Sequence, residues 1–520
     1  MYIEPNTTIK LLHNVPLDNT YEHTILFSSA DEQANYFASL TKHNLSNNTY
    51  QRVQRGVAKI GLSADSCYDC NYLMFQNTNY GNKWFYAFIQ KIEYINNAVC
   101  EVTFELDVMQ TWLFDFTLKQ CFVEREHTAT DVIGEHIEPE PLETGEYVFN
   151  NYAPITQMSD MCICIAIVDV ENATDGTVYD GIYGSAKLWV YDSTDVTSVN
   201  AKINEYTQKP EAIISIYMLP KLFLGGVIPE THLLGYGATA TRTFVTLNGV
   251  EETDTLNGYL PKNKKLYTYP FNFYHVDNAS GGELSLRYEF FANGKPVFQI
   301  TGTVTQPVTA VIRPCSYKGV QDYTEVGGYT TLNTESLQLN NYPVCSWNVD
   351  SYKMWVAQNS APIALNTIAS IGQTAVGAQY STQPNAVIGA SAIGQVSNIL
   401  SQMYQASIRA DISKGTFNNG GVNTANFTQQ FYGGRCSVNA KFAQIIDNYF
   451  TRYGYACNVV KIPNIKSRPH WNYVKTIGCL ILGSVPCDDM RTICNIHDKG
   501  ITYWKNGNEI GNYTLDNSPE

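Results

Sequence analysis

Charged side chains are scarce in this chain of 520 residues. Asp, Glu, Lys and Arg make up 16% of it, against roughly 25% in an average soluble protein. Acidic residues outnumber basic ones, 48 to 34, which gives a formal net charge of -14. Proteins that bind nucleic acid tightly do so through clustered Lys and Arg side chains. The composition therefore argues against a DNA-binding protein, but it is compatible with a surface along which DNA slides without sticking.

Charge is absent altogether from residues 354–408, which contain no Asp, Glu, Lys, Arg or His. Two arms, 361–379 and 386–408, flank a polar break at 380–385, and this pattern predicts a helical hairpin. The second arm places Ile393, Val396, Leu400 and Met403 at helical spacing. A helix that spans a membrane needs about 20 mostly apolar residues. Gln, Asn and Ser interrupt both arms, so the hairpin is either membrane-capable without being a standard span, or a buried part of a larger fold.

The sequence also lacks a secretory signal and a balanced cysteine count. Residues 1–5 have neither a basic region nor an apolar run. The 13 cysteines are an odd number, so a complete intramolecular disulfide set is impossible and a reducing assembly site is expected. The pairs Cys67 with Cys70 and Cys162 with Cys164 resemble half of a zinc site, but no second pair follows at zinc-site spacing. We predict packed thiols, no metal and no cofactor.

Catalytic motifs are missing as well. The sequence contains no Gly-rich phosphate loop, nucleophile elbow or dinucleotide fingerprint. Glu124, Glu126 and His127 could supply an acid and a base. Alternation puts the two glutamates on one strand face, where solvated charges are the favoured interpretation. His136 lies near two glutamates but lacks the His-Glu-x-x-His spacing of zinc proteases. We expect no enzymatic activity.

Strand and turn signals dominate what is present. Tyr, Asn and Thr are plentiful, which suits strand-rich, turn-rich assemblies. Hairpin strands are predicted around 72–75 and 83–89, and another strand at 99–106. Asn-Gly pairs at 248–249, 257–258 and 293–294 separate short strands in the middle of the chain. We predict a mainly β fold, built from barrel or sandwich domains with a few short helices and a long hydrophobic helical loop.

The short helices are predicted from caps and apolar stripes. Ser29 opens a capping-box pattern, Asp107 can cap a brief turn, and a stripe begins at Val196. Another helix is expected between Asn439 and Gly454, and a last one begins at 488–489, where two aspartates complement the helix dipole. Gly433 and Gly434 are predicted to mark a flexible exit from the uncharged segment.

Eight stretches of the sequence resemble one protein family. They are NVPLDNTY (14–21), YLMFQN (72–77), GNKWFYAF (81–88), FELDVMQTW (104–112), FVEREHT (122–128), DNYFTRYGY (447–455), PNIKSRPHWNY (463–473) and DKGITYW (498–504). These stretches are similar to the tail knob proteins, also called distal tail tube or major tail proteins, of small short-tailed bacteriophages with protein-primed linear genomes (picovirus type). The resemblance is dense at the two ends of the chain and loose in the middle.

The resemblance implies a function. In that family six copies form a hollow cylinder at the tip of the tail, through which DNA leaves. Long hydrophobic loops plug the tube and later form a passage through the host membrane. For this chain the resemblance implies a structural virion protein at the distal end of the tail, assembled in the host cytoplasm. Its implied partners are five further copies in a homo-hexamer, other tail and collar proteins, viral DNA passing without specific binding, and the host membrane.

The strand and turn pattern, together with the resemblance, indicates a domain organisation. A tube-forming β domain is expected in residues 1–149, completed by 436–520, and a second β domain in 150–345. The long uncharged loop, acting as channel plug and membrane-active segment, is expected in 346–435. The residues assigned to this loop function are Leu365, Ile368, Ile371, Val376, Val387, Ile388, Ile393, Val396, Ile399, Leu400, Met403 and Tyr404.

Two alternatives from other functional classes stay open. A receptor- or glycan-binding tail adhesin could use the many Tyr and Trp side chains to stack on sugars. A cell-wall-degrading tail enzyme would need a placed pair of carboxylates or a zinc site. The adhesin is the stronger of the two, because no such pair or site stands out in the sequence.

Overall fold

The chain divides into two compact units, each assembled from separate parts of the sequence. Unit 1 consists of Met1–Thr144, Tyr259–Leu266 and Ala440–Glu520, and unit 2 of Gly145–Gly258 and Tyr267–Asn439. The structure is a computed structural model. It describes residues 6–48, 56–78, 81–168, 177–179, 182–184, 186–206, 212–234, 239–318, 335–340, 342–346, 416–418 and 429–519.

Short strands make up most of the regular structure. From the N-terminus they are β1 Thr7–His13, β2 His23–Ile25, β3 Thr41–Asn48, β4 Val57–Ile60, β5 Cys70–Asn77, β6 Phe85–Asn96, β7 Val99–Leu106, β8 Phe116–Leu118 and β9 Cys121–Glu126. Then follow β10 Tyr147–Pro154, β11 Met161–Val168, β12 Thr177–Tyr179, β13 Ile182–Gly184, β14 Ala186–Asp192, β15 Ile213–Pro220, β16 Thr243–Thr246, β17 Asn272–Asp277, β18 Glu283–Leu286, β19 Val297–Gly302, β20 Ala310–Cys315, β21 Leu337–Leu339, β22 Val344–Ser346, β23 Thr416–Asn418 and β24 Tyr432–Val438. The last strands are β25 Tyr455–Lys461, β26 Trp471–Ile477, β27 Ile481–Gly483 and β28 Ile501–Trp504.

The α-helices in the described part of the chain are few and short. They are α1 Ala30–Ser39, α2 Ala64–Cys67, α3 Val108–Thr111, α4 Val196–Glu205, α5 Ala440–Tyr453 and α6 Cys487–Lys499. The prediction of a mainly β fold with a few short helices is therefore confirmed. Among the described residues, we find no helix with the length and apolar character needed to cross a membrane.

Unit 1 is built on a six-stranded and a five-stranded sheet. The six-stranded sheet has the order β3-β1-β5-β6-β7-β4, and the five-stranded sheet the order β2-β28-β26-β9-β25. The predicted hairpin forms β5 and β6, with Tyr72 opposite Phe88. Phe37 of α1 stacks on the Tyr72 ring, with centroids 5.3 Å apart and planes 10° apart. Large aromatic side chains thus fill the space between helix and sheet.

The helix caps follow the local sequence. The Ser29 hydroxyl accepts a hydrogen bond from the Glu32 amide at 3.2 Å, while the Glu32 carboxylate accepts from the Ser28 amide at 2.9 Å. Asp107 caps α3 by accepting from the amides of Met109 and Gln110, each at 3.0 Å. Both predicted caps are confirmed, because a cap depends on residues within one turn.

Within unit 1, one buried carboxylate holds the segment Tyr259–Leu266 against helix α5. Asp447 of α5 is 1% exposed. It accepts hydrogen bonds from the Tyr259 hydroxyl at 2.7 Å, the Lys262 amide at 2.8 Å and the Asn263 amide at 3.0 Å. A carboxylate without such donors would lose its hydration on burial without compensation. These bonds hold the returning segment on the helix.

Unit 2 contains three larger antiparallel sheets around one apolar core. Their orders are β14-β11-β15-β22-β23, β16-β19-β20-β21 and β10-β24-β17-β18. Strand β11 is a continuous apolar run, and its residues 161–167 are all buried. Such a run is typical of a strand that is covered on both faces. The predicted stripe on α4 is also confirmed, with Val196 and Val199 buried and Asp195 as cap.

Strand β23 and the first residues of β24 lie within residues 346–435, which the sequence assigns to a loop. Strand β23 pairs with β22 in unit 2, and β24 begins at Tyr432 and pairs with β10 and β17. Gly433 and Gly434 therefore lie inside a central strand, and their interpretation as a flexible exit is wrong. A Cβ at Gly433 would meet the Tyr274 hydroxyl oxygen at 2.5 Å, and one at Gly434 would meet the Asn151 carbonyl oxygen at 1.9 Å. The two glycines are required by close packing.

Candidate functional site

The twelve residues assigned to the channel and membrane loop lie outside the described residues. They are Leu365, Ile368, Ile371, Val376, Val387, Ile388, Ile393, Val396, Ile399, Leu400, Met403 and Tyr404. Their role stays a prediction from sequence.

The two glutamates of the 121–128 stretch do not share a solvated face. Glu126 is fully buried, paired with Lys461, and accepts from the Asn464 amide at 2.8 Å. Consecutive residues Lys475 and Thr476 pair with Arg125 and Val123, so Glu124 is the extra residue of a β-bulge. The bulge breaks the alternation on which the prediction rested. The prediction that Glu126 is solvated is therefore wrong.

His127 is enclosed and fully bonded. Its Nδ1 accepts from the Tyr473 amide at 2.7 Å, so the proton lies on Nε2, which donates to the Thr451 carbonyl at 3.1 Å. Burial lowers the pKa of His127 to about 3, and the positive charge of Arg468 adds to the effect. A neutral imidazole with both nitrogens occupied cannot accept a proton from a substrate. His127 therefore serves the structure of unit 1.

A second buried group of charges surrounds Glu140. Glu140 pairs with Arg125 and with Lys265, and it accepts from the Ala456 amide at 2.9 Å. Burial lowers the pKa of Lys265, and the charge of Arg125 acts in the same direction. The Lys265 side chain is fully enclosed, so it is not placed to act as a nucleophile. The group joins three parts of the unit 1 chain.

The candidate half-sites for zinc are buried thiols. Cys67, Cys70, Cys162 and Cys164 all lie in the cores. Burial raises the pKa of Cys162 and Cys164, which keeps these thiols protonated and disfavours metal binding. Across the described part of the chain, no group of three or more His, Cys, Asp or Glu side chains is arranged to hold a metal ion.

The most distinctive surface of unit 1 is aliphatic. Six Val, Ile and Leu side chains, each between 44% and 63% exposed, lie on or beside β25, β26 and β27. We call this set the aliphatic surface; it comprises Val459, Val460, Ile462, Ile477, Leu480 and Leu482. Exposed aliphatic residues are normally scattered, and a concentration of them marks an interaction site.

Strand pairing brings two of these residues, Val460 and Ile477, into one row of the five-stranded sheet. Phe122 of β9 pairs with Val460 on one side and with Ile477 on the other. Leu480 lies next to the same segment, because its carbonyl accepts from the Lys119 amide at 2.8 Å. The Gln120 side chain donates to the Val460 carbonyl at 3.4 Å. Residues 119–122 therefore connect the parts of the aliphatic surface.

The aliphatic surface includes the edge of the sheet. Within the described residues, β25 pairs with β9 alone and its other side is unpaired. Exposed apolar edges promote association with another chain unless charge or proline protects them. Val459 and Val460 on this strand are exposed. The edge is thus suited to contact with another protein surface.

Sequence reasoning did not find the aliphatic surface. Exposure is decided by the pairing of β9 with strands more than 300 positions away. The local signal is the aliphatic run Leu480-Ile481-Leu482 shortly after Gly478, since three consecutive apolar residues are more than one buried strand face requires.

Comparison with known proteins gives matches along nearly the whole chain. The family model described as Bacillus phage phi29, Tail knob protein gp9, C-terminal domain matches residues 239–518. The model described as Caudoviral major tail protein N-terminus matches residues 5–117. The tail knob protein gp9 of Bacillus phage phi29 is 27% identical, and that of Bacillus phage PZA 26% identical. In both cases the alignment covers 98% of each chain.

A solved structure has the same fold. The tail knob protein gp12 of bacteriophage C1 superposes with a TM-score of 0.66. Sequence identity is 17%, and the superposition covers 98% of this chain and 99% of that one. At this level of sequence identity, the similarity shows a shared fold and no more.

Proposed function

Because the chain belongs to the tail knob protein family of phi29-like phages and is a structural component of the virion tail, we propose that six copies of it form the distal tail tube. The family match supports the tail location. The aliphatic surface of unit 1 supports contact between copies, because large exposed apolar patches usually mark protein interaction sites. The tube conducts the viral DNA during ejection.

The aliphatic surface is the observation that carries the proposed assembly. Fully burying a Val, Leu or Ile side chain contributes on the order of 1.5–3 kcal/mol. The six side chains are each about half exposed, so covering them contributes roughly 1 kcal/mol each. In a closed ring every copy uses this surface once against a different surface of its neighbour, which is a heterologous contact.

The charge balance supports passive conduction of DNA. The chain carries a net charge of -14, and an acidic protein gains no counterion-release energy from contact with phosphates. DNA would then move through the tube without specific binding. Glu126, His127 and Lys265 are enclosed, so the proposed mechanism assigns them no catalytic step.

We further propose that the uncharged segment plugs the tube and later penetrates the host membrane. This part of the proposal rests on the sequence of residues 354–408, which lack charge, and on the family. A helix keeps its backbone hydrogen bonds satisfied in lipid, so an uncharged hairpin can leave an aqueous tube for a membrane. The other tail and collar proteins of the virion are the expected neighbours of the ring.

Substitution of the aliphatic surface tests the proposed assembly. Ile477→Glu combined with Leu482→Glu introduces two carboxylates that would lose their hydration at a subunit contact. We expect the variant to fold but to lose hexamers at least about tenfold relative to wild type, measured by mass photometry and negative-stain microscopy. Val132→Glu, at a position 59% exposed elsewhere in unit 1, is the matched control and should assemble normally. Normal assembly of the double variant would remove the aliphatic surface from the proposal.

A further inference from the structure

Unit 2 has an exposed aromatic surface that differs in chemistry from the aliphatic surface. It lies on one face of the sheet β10-β24-β17-β18, at its β10 edge. We call it the aromatic face; it comprises Tyr147, Phe149 and Tyr152 of β10, Tyr432 of β24, and His275 and Asp277 of β17. Tyr147, Phe149 and Tyr152 are 42%, 50% and 47% exposed.

A β-bulge creates this face. Phe149 pairs with Cys436 and Asn151 with Arg435, so Asn150 is the extra residue on β10. Side chains three positions apart on a regular strand point to opposite faces. Here the bulge brings the rings of Phe149 and Tyr152 together, with centroids 5.1 Å apart.

The rings are held in place by their neighbours. Tyr152 stacks on Tyr432, with centroids 5.5 Å apart and planes 10° apart. Phe149 contacts the His275 ring edge to face, with centroids 5.3 Å apart. Gly434 lies between Tyr152 and His275 in the sheet, so no side chain separates these two residues. Rings fixed in this way lose little conformational entropy when a ligand stacks on them.

Hydrogen-bonding groups lie beside the rings. The Tyr152 hydroxyl donates to Asp277 at 2.5 Å, and the other carboxylate oxygen of Asp277 accepts from the Ala279 amide at 2.8 Å. The His275 Nε2 lies 3.7 Å from the Asp277 carboxylate. In the next strand, Ser285 pairs with His275 and Glu283 with Asp277. The face therefore combines an aromatic half with a polar half.

This combination identifies the class of ligand. The side chains of the aliphatic surface offer no hydrogen bonds, whereas the aromatic face places hydrogen-bonding groups beside its rings. A pyranose ring presents C–H groups on its faces, which pack on aromatic rings, and hydroxyls at its edge, which need donors and acceptors. The charged residues in these strand rows are Asp277 and Glu283, which repel anionic polymers. We propose that the aromatic face binds a neutral oligosaccharide, with Phe149 and Tyr152 stacking on a sugar and Asp277 and His275 bonding its hydroxyls.

Titration of the full chain with soluble oligosaccharides tests this inference independently of the proposed tube. The probes are β-1,4-linked hexamers of glucose and of N-acetylglucosamine, with a polyglycerol phosphate of similar length as the anionic comparison. Saturation-transfer NMR and isothermal titration calorimetry report binding. We expect at least one neutral hexamer to bind and the anionic polymer not to bind.

Variants locate the site. Phe149→Ala with Tyr152→Ala should weaken binding at least about tenfold, because two stacking rings are lost. Phe149→Leu keeps a similar volume without the ring and should weaken binding about threefold, which guards against misfolding of the double variant. Tyr68→Ala, at an exposed tyrosine of unit 1, should bind as wild type. Absence of binding to both neutral hexamers, unchanged binding by Phe149→Leu, or loss of assembly without loss of sugar binding would overturn the inference.

Discussion

At the scale of single residues, the structure of unit 1 depends on enclosed polar side chains whose partners lie far away in the sequence. His127 bonds to Tyr473 and Thr451, which lie 346 and 324 positions away in the chain. Glu126 bonds to Lys461 and Asn464. The sequence shows that these residues could act as an acid and a base, but it does not show their bonding partners, which lie near the other end of the chain. This is why sequence reasoning could weigh a catalytic role for Glu126 and His127 and still misjudge the burial of Glu126.

The buried neutral state of His127 predicts a pH dependence of stability. Its pKa is about 3 in the folded protein and about 6.5 when unfolded. The unfolded state therefore binds more protons between these values, so the stabilisation is complete above pH 6.5 and is lost as the pH falls toward 3. From pH 7 to pH 5 the wild-type free energy of unfolding should fall by about 2 kcal/mol more than that of His127→Gln.

Denaturant unfolding at the two pH values measures this difference. The comparison with His127→Gln isolates one residue, because other buried histidines such as His497 are present in both proteins. Parallel pH profiles for wild type and variant would show that His127 carries no such linkage.

At the scale of helices and strands, features that depend on neighbouring residues can be predicted from the sequence, whereas features that depend on strand pairing cannot. The caps at Ser29 and Asp107 and the hairpin of β5 and β6 follow from residues close in sequence. The bulges at Glu124 and Asn150 depend on which strands pair, so alternation alone could not predict them. The aliphatic surface and the aromatic face both arise from such pairings, which is why neither was predicted as a surface.

The central position of Gly434 gives a prediction at this scale. A Cβ there would lie 1.9 Å from the Asn151 carbonyl oxygen, so Gly434→Ala must displace the β10 backbone. Overpacking of this kind costs about 1–3 kcal/mol. Chemical denaturation should show that loss, whereas Gly61→Ala, where the added Cβ meets nothing within 4 Å, should change stability by less than about 0.5 kcal/mol. Equal stabilities for the two variants would contradict the packing argument.

At the scale of the whole molecule, unit 1 is discontinuous in sequence. Its three parts include the short return Tyr259–Leu266, which carries no motif and was not indicated by the sequence. Asp447 holds it through hydrogen bonds. The family could be predicted from the two ends of the chain, because stretches such as 104–112 and 463–473 are long enough to be specific. Contacts between distant residues leave no such local pattern and could not be predicted.

The proposed membrane role of the uncharged segment predicts a specific defect. Arg at the centre of a membrane-inserted helix costs roughly 2.5–3.5 kcal/mol per site. Virions that carry Val396→Arg with Leu400→Arg should assemble and adsorb but fail to eject DNA into cells, and the purified variant should not release dye from liposomes that wild type permeabilises. Normal infection by the double variant would exclude the membrane role, and misassembled tails would favour a hairpin buried in the tube.

The proposed tube is the central claim, and electron cryomicroscopy of intact virions measures it most directly. The map should show six copies of the chain around the tail axis at its distal end, with Ile477 and Leu482 of each copy covered by a neighbour. A different copy number, or a ring in which the aliphatic surface faces solvent, would contradict the account.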